Sequence, residues 1–143
     1  MTKTKFKKIA ITSTSKTKRI YEVASLCCEI LSNKGIKILL SKNLEKIKTD
    51  ELKVFSDKDI IKDADLILAV GGDGTMLSTA RDFIGYDIPI MGVNFGQVGF
   101  LTDSSENNFK QSIDDVFNDN FKLEEKSFVK ADFGDKEIFG LNE

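Results

Sequence analysis

Five consecutive residues have the types needed to bind phosphate and to accept a proton. They spell GGDGT at residues 71–75. Gly71, Gly72 and Gly74 can adopt positive φ, and they let a phosphate or ribose approach the backbone amides without a Cβ in the way. We expect Thr75 to cap the following helix, whose N-terminus favours anions. The motif therefore predicts a phosphate-binding loop.

Asp73 lies inside this loop, where a carboxylate repels phosphate unless it has a further task. It can hold a cation between itself and phosphate, or accept a proton from a substrate hydroxyl. Both tasks belong to phosphoryl transfer, in which catalysis is mainly positioning and charge neutralisation. The loop is neither a P-loop, since no Lys follows its last Gly, nor a GxGxxG turn, since Leu77 replaces the third Gly. A tight turn that merely tolerates Asp is the alternative.

A second glycine cluster, NFGQVGFLTD, begins at Asn94. Gly96 and Gly99 permit a close backbone turn, Asn94 offers a side-chain amide, and Phe100 offers a ring on which a base can stack. The alternative is that Phe100 belongs to the core and the glycines only turn the chain. Two glycine loops at the ends of successive strands favour a crevice that they share.

The polar pair Asn142 and Glu143 follows an apolar strand at the end of the sequence. Neighbouring amide and carboxylate side chains can bind the hydroxyls of a ribose. The alternative is that they simply begin a loop.

Alternating strands and helices must position these residues. Apolar runs predict strands, and 3.6-residue periods predict helices. The strands are expected at Lys7–Ser13, Ile36–Leu40, Asp65–Val70 and Ile88–Asn94. The helices are expected at Thr17–Lys34 (with Gly35 as its stop), Asp59–Ala64 as one turn, Met76–Phe83 and Ser105–Phe117, and 41–58 reads as a loop with at most one short helix. This α/β pattern predicts a parallel sheet with helices on both faces, and in such sheets ligands gather beyond the carboxyl ends of the strands.

The pattern changes after residue 121. Partial alternation up to Phe133, then Gly134-Asp135, then the run 136–141 predict an antiparallel hairpin. We therefore expect an α/β nucleotide-binding domain at 1–121 and the beginning of a β-rich second domain at 122–143. Because two strands alone make no stable sheet, we expect the chain to be the N-terminal part of a longer protein.

Composition narrows the classes of function. The 143 residues include 21 Lys plus Arg against 23 Asp plus Glu, a net charge of -2 that argues against binding to duplex DNA or to an anionic membrane. No run is long enough to span a membrane, and we expect no secretory signal, because the apolar stretch after the basic start is too short and no small-residue cleavage site follows. The chain has no His, so imidazole bases and His-ligated metals are excluded within it. Cys27 and Cys28 are expected to be buried thiols of a cytoplasmic protein.

The motifs GGDGTML, MGVNFGQVGFLTD and GLNE occur in this order over nearly the whole chain. In this they resemble the NAD kinase family, whose members phosphorylate the 2′-hydroxyl of the adenosine ribose of NAD. GGDGT alone is shared with diacylglycerol and sphingosine kinases, whereas NxGxxGFLTD is far more specific. The resemblance implies an α/β N-terminal domain followed by a β-rich C-terminal domain.

The resemblance also implies roles for individual residues. Asp73 matches the family's proton acceptor, and Asp73 with Gly74 matches the pair that contacts NAD. Phe100 matches an aromatic residue near the adenine, and Asn142 and Glu143 match the pair that binds the substrate nucleoside. The implied partners are NAD with ATP or polyphosphate as phosphoryl donor, Mg²⁺ or another divalent cation, and further copies of the chain in a homodimer or homotetramer.

Two other interpretations remain open at this point. A lipid-type GGDGT kinase would show an apolar surface patch that fits an acyl chain, or turnover of diacylglycerol. A non-catalytic dinucleotide-binding fragment would bind NAD tightly without transferring phosphate.

Overall fold

The computed structural model describes residues 5–94, 104–105 and 107–141, with only the backbone of 104–105. Five of the candidate site residues lie outside the described residues: Gly96, Gly99, Phe100, Asn142 and Glu143.

Parallel strands and flanking helices alternate along the described part of the chain. The strands are β1 (Lys8–Thr12), β2 (Lys37–Ser41), β3 (Val54–Phe55), β4 (Leu66–Val70), β5 (Ile90–Asn94) and β6 (Ser104–Ser105). The helices are α1 (Lys18–Asn33), α2 (Asp57–Asp63), α3 (Asp73–Asp82) and α4 (Phe109–Phe117), and a 3₁₀ helix spans Lys42–Ile47. The strands form one sheet in the order β3-β2-β1-β4-β5-β6, and every pairing is parallel.

Both faces of the sheet are covered, as the sequence predicts. Successive side chains of a strand point to opposite faces. Ile9 and Ile11 therefore join a core with residues of α1 and α4, whereas Ala10 between them joins a second core with Ile60 of α2 and Phe83 after α3. A strand buried on both sides reads as a continuous apolar run, which is why the sequence identified β1 and β4.

The ends of the first two helices follow from local chemistry. The Thr17 hydroxyl accepts a hydrogen bond from the Ile20 amide at the start of α1. Gly35 follows this helix with a φ of 74°, a conformation that glycine adopts without strain. Ser56 caps α2 in the same way by accepting from the Asp59 amide.

Several predicted boundaries are wrong. The segment 41–58 contains the strand β3 as well as the 3₁₀ helix, and Ser104–Ser105 is a strand where a helix was expected to begin. Both strands have two residues, too few for a periodic pattern to show. Helix α3 begins at Asp73, three residues before the expected start, and it includes Gly74 despite the low helix propensity of glycine.

The hairpin after residue 121 is confirmed. Strands β7 (Phe128–Asp132) and β8 (Glu137–Leu141) pair antiparallel, and the turn contains Gly134 at a φ of 89°. The Asp132 carboxylate accepts from the Gly134 amide at 2.9 Å, which fixes the turn. Strand β8 contacts α3, so the hairpin lies beside the helix that begins at Asp73.

None of the helices in the described ranges has the length and apolar character that crossing a membrane requires.

Candidate functional site

The strand order reverses between β1 and β4, the place where an open parallel sheet has a crevice. The chain leaves β1 toward β2 on one side of the sheet and leaves β4 toward β5 on the other, so the two connections diverge at these strands. In open parallel sheets this reversal point, beyond the carboxyl ends of the strands, is where ligands bind. GGDGT follows β4 directly and therefore lies at this crevice.

Gly71 makes the tight turn that leaves β4. Its amide donates to the Val93 carbonyl oxygen at 2.9 Å, which ties the turn to β5. Its φ is 152°, and a Cβ added to it would lie 2.8 Å from the Cβ of Thr75. Gly71 is therefore required by this close approach. Gly72, at a φ of -95°, has no atom within 4 Å of an added Cβ.

Asp73 is the first residue of α3, and Gly72 is its N-cap. The half-buried carboxylate therefore begins at the end of the helix where the amides carry partial positive charge. Gly74 lies within the helix rather than in a loop. The expectation that Thr75 caps the helix is wrong, because the helix begins before it and Thr75 lies in the first turn.

The side chain of Thr75 bonds to another strand end instead. Thr75 is 6% exposed, and its Oγ1 lies 2.9 Å from Oγ1 of Thr14, with either hydroxyl able to donate. Thr14 follows β1, so this bond joins the two sides of the crevice.

Sequence reasoning missed the residues that follow β1. Ser13 is fully buried, its carbonyl oxygen accepts from the side-chain amide of Asn43 at 2.9 Å, and its hydroxyl accepts from the Ser15 amide at 3.2 Å. The signal was available as the hydroxyl-rich stretch TSTS, residues 12–15, at the end of the first predicted strand. Such residues at the carboxyl end of a parallel strand indicate a polar site edge.

Asn94 lies close to the glycine turn, as the sequence predicts. It is the last residue of β5 and is buried, and it follows Val93, which accepts the hydrogen bond from Gly71. The structure thus brings together Asn94 and Gly71–Thr75. The other candidates of the second glycine cluster and the terminal Asn-Glu pair lie outside the described residues.

Two cavities of the described part lie away from GGDGT. One of about 440 Å³ lies between α1 and the β2–β3 edge, and one of about 260 Å³ is lined by Phe6, Leu66 and Pro89 among others. The candidate site is marked by strand ends and turn geometry, not by either cavity. Within the described residues no three Cys, Asp or Glu side chains come together as a metal-binding group.

Two groups outside the crevice have raised pKa values. Burial raises the pKa of the Cys28 thiol to about 12 and also raises that of Cys27, so both buried thiols are protonated at neutral pH. At the far end of α3, partial desolvation and then the nearby Asp57 carboxylate raise the pKa of Asp82.

Comparison with known proteins gives a consistent result. Residues 9–121 match the family model described as the ATP-NAD kinase N-terminal domain. An NAD kinase of Methanopyrus kandleri is 31% identical over 126 residues, which are 88% of this chain and 45% of the relative. An NAD kinase of Teredinibacter turnerae is 35% identical over 102 residues, which are 71% of this chain and 35% of the relative.

The fold is also found among solved structures. The chain superposes on a yeast NADH kinase complexed with NADH with a TM-score of 0.71, at 17% identity, covering 95% of this chain and 46% of that one. The chain thus spans less than half the length of the relatives that it matches. The family match runs from Ile9 in β1 to beyond α4, and it includes the glycine turn and Asp73. The chain belongs to the ATP-NAD kinase N-terminal domain family.

Proposed function

We propose that the protein transfers the terminal phosphoryl group of ATP or polyphosphate to the 2′-hydroxyl of the adenosine ribose of NAD. The observation that carries the proposal is Asp73, a half-buried carboxylate at the first residue of α3, at the reversal point of a sheet in this family. The family match and the relatives named NAD kinase support the reaction. A solved NAD kinase from Archaeoglobus fulgidus is in complex with ATP, which supports ATP as donor.

Asp73 acts as the proton acceptor in this proposal. Its carboxylate accepts the proton of the ribose 2′-hydroxyl as the oxygen attacks the phosphorus of the terminal phosphoryl group and the bond to the leaving oxygen breaks. The backbone amides of residues 72–75, at the N-terminal end of α3, face the developing negative charge on the phosphoryl oxygens. The missing Cβ atoms at Gly72 and Gly74, with no atom within 4 Å of either position, allow a phosphate to come close.

The residues present fit a divalent cation brought in with the nucleotide. Asp73 supplies a carboxylate, and Asn94 at the end of the neighbouring strand β5 supplies an amide oxygen, both hard oxygen atoms of the kind that Mg²⁺ prefers. When bound, Mg²⁺ neutralises charge on the phosphate oxygens.

The proposal extends to residues and partners suggested by the family resemblance. We propose that Phe100 stacks on the adenine, that Asn142 and Glu143 bind the nucleoside, and that the glycine cluster of Asn94, Gly96 and Gly99 shares the crevice with GGDGT. We also propose a homodimer or homotetramer in the cytoplasm.

The test is NADP formation from NAD and ATP by the wild-type protein and by Asp73→Asn, which keeps the shape but removes the base. Asp82→Asn is the matched control, since Asp82 ends the same helix about 13 Å away along its axis. We expect Asp73→Asn to lower kcat at least about 100-fold and Asp82→Asn to leave it unchanged. Near-normal turnover by Asp73→Asn would refute its role as base.

Two further arms separate the other interpretations. Replacing ATP with polyphosphate determines the donor. Binding of NAD without any NADP formation would indicate a non-catalytic dinucleotide-binding module. Phosphorylation of diacylglycerol in place of NAD would indicate a lipid kinase.

A further inference from the structure

The first turn of α3 has no side-chain cap of its own. Its N-cap is Gly72, whereas α1 and α2 begin with hydroxyl caps from Thr17 and Ser56. A helix start without a capping side chain frays more easily. Because Asp73 is the first residue of this turn, fraying would move the carboxylate.

A residue that follows another strand, β1, contacts this turn. The Thr75 hydroxyl, two residues after Asp73, lies 2.9 Å from the Thr14 hydroxyl, and the two residues are 61 positions apart in the sequence. Thr75 also packs against Gly71, where an added Cβ would lie 2.8 Å from its own Cβ. The side chain of Thr75 is therefore held between the turn that precedes α3 and the exit of β1.

The segment that carries Thr14 is itself fixed. The side-chain amide of Asn43 donates to the Ser13 carbonyl oxygen at 2.9 Å, and the Ser13 hydroxyl accepts from the Ser15 amide at 3.2 Å. Thr17 then caps α1. Thr14 thus extends from a rigid support, although its own side chain is exposed.

We propose that Thr14 is a positioning residue, which holds the first turn of α3, and so the Asp73 carboxylate, in its place at the crevice. Its hydroxyl acts through Thr75 and does not itself react. The effect on turnover rests on the proposed function, whereas the effect on the turn does not.

The turn is monitored through the Met76 amide, which donates to the Gly72 carbonyl oxygen at 3.2 Å and so reports the opening of the first helical turn. Thr14→Val removes the hydroxyl at nearly constant shape, and Thr14→Ser keeps it. We expect hydrogen exchange at Met76 to be about fivefold faster in Thr14→Val and near wild-type in Thr14→Ser, while the core Leu68 amide is unchanged. Thr49→Val, which removes another exposed hydroxyl that accepts from the Leu52 amide, should leave Met76 unchanged.

Turnover is measured in parallel, at a temperature at which all variants are folded by circular dichroism. We expect Thr14→Val to lower kcat about tenfold with KM for NAD within about twofold, and Thr14→Ser to restore kcat. Unchanged exchange at Met76, or faster exchange with normal kcat, would overturn the proposal. If the wild-type protein does not phosphorylate NAD, the proposed function fails, and exchange at Met76 alone decides whether Thr14 holds the turn.

Discussion

Polar side chains have different roles at the end of the parallel sheet where the strands begin, the amino edge, and at the end where they finish, the carboxyl edge. At the amino edge the Asp65 carboxylate accepts from the Lys7 and Lys8 amides at 2.9 and 3.0 Å, so its charge is engaged by backbone. At the carboxyl edge, glycines make the turn after β4, and a hydroxyl pair, Thr14 and Thr75, joins two strand ends. An Asp at one edge therefore holds the fold together, whereas at the other edge Asp73 begins a helix at the crevice.

Apolar surface does not distinguish the site. The amino edge has the cavity of about 260 Å³, lined in part by Phe6 and Phe121, whose rings are 5.8 Å apart. This cavity contains no part of GGDGT. In an open α/β sheet, the place where the strand order reverses is a better indicator of the ligand site than an apolar cavity is.

Gly71→Ala should have the largest effect on stability, because it disrupts the turn after β4 at the carboxyl edge. The new Cβ would contact Thr75 at 2.8 Å at a φ of 152°, so the turn or the helix start must shift. We expect unfolding to become easier by about 2–3 kcal/mol in urea denaturation.

Gly72→Ala is the matched control for this substitution. An added Cβ there has no atom within 4 Å and the φ is -95°, so we expect a change below about 1 kcal/mol. Equal losses in the two variants would show that close approach at Gly71 is not what the turn requires.

Asp65→Ala tests the amino edge and ranks second. It removes the acceptor for two backbone amides, and we expect a loss of about 1–2 kcal/mol in unfolding free energy. NADP formation per folded molecule should not change, because the edge does not contribute to the proposed site.

Asp63→Ala serves as control, since its carboxylate only approaches the exposed Lys8 Nζ at 4.0 Å and should contribute little. A fall in kcat for fully folded Asp65→Ala would contradict the claim that the amino edge contributes to stability and not to the proposed site.

Asp82→Asn should have the smallest effect on stability. It tests the C-terminal end of α3, opposite to the end where Asp73 lies. Desolvation and Asp57 raise the pKa of Asp82 in the folded state above its ordinary value of 3.8. The folded state thus holds the proton more tightly, so this contribution to stability is present below pH 3.8 and is lost as pH rises through the folded pKa. We expect Asp82→Asn to melt slightly higher than wild type at pH 7, with no such gain at pH 3. A lower melting temperature at pH 7 would contradict the direction of the shift.

The sequence predicts the regular part of the fold well because burial on both faces leaves clear apolar runs. Strands β1, β4 and β5, helix α1 and the hairpin are all confirmed with small shifts in their bounds. The two-residue strands β3 and β6 have no pattern of their own. Their pairing depends on neighbouring strands, which local sequence does not report.

The site is predictable in part. The sequence places GGDGT and Asn94 at the carboxyl edge, because an apolar strand directly precedes each motif. The start of α3 was missed because Gly has a low helix propensity, yet Gly74 lies inside the helix. The role of Thr75 was missed for a different reason: its partner Thr14 is 61 residues away, and no local rule connects them.

The most direct test of the account is a titration of the ¹⁵N-labelled protein with NAD, followed by NMR at both edges of the sheet. We predict that amide shifts concentrate at the carboxyl edge, at Thr14, Gly71–Thr75 and Asn94. The amides of Lys7, Lys8 and Asp65 should remain unchanged. Shifts concentrated at the amino edge, or saturation with NAD without any change at Gly71–Thr75, would contradict the assignment of the crevice between β1 and β4 as the nucleotide site.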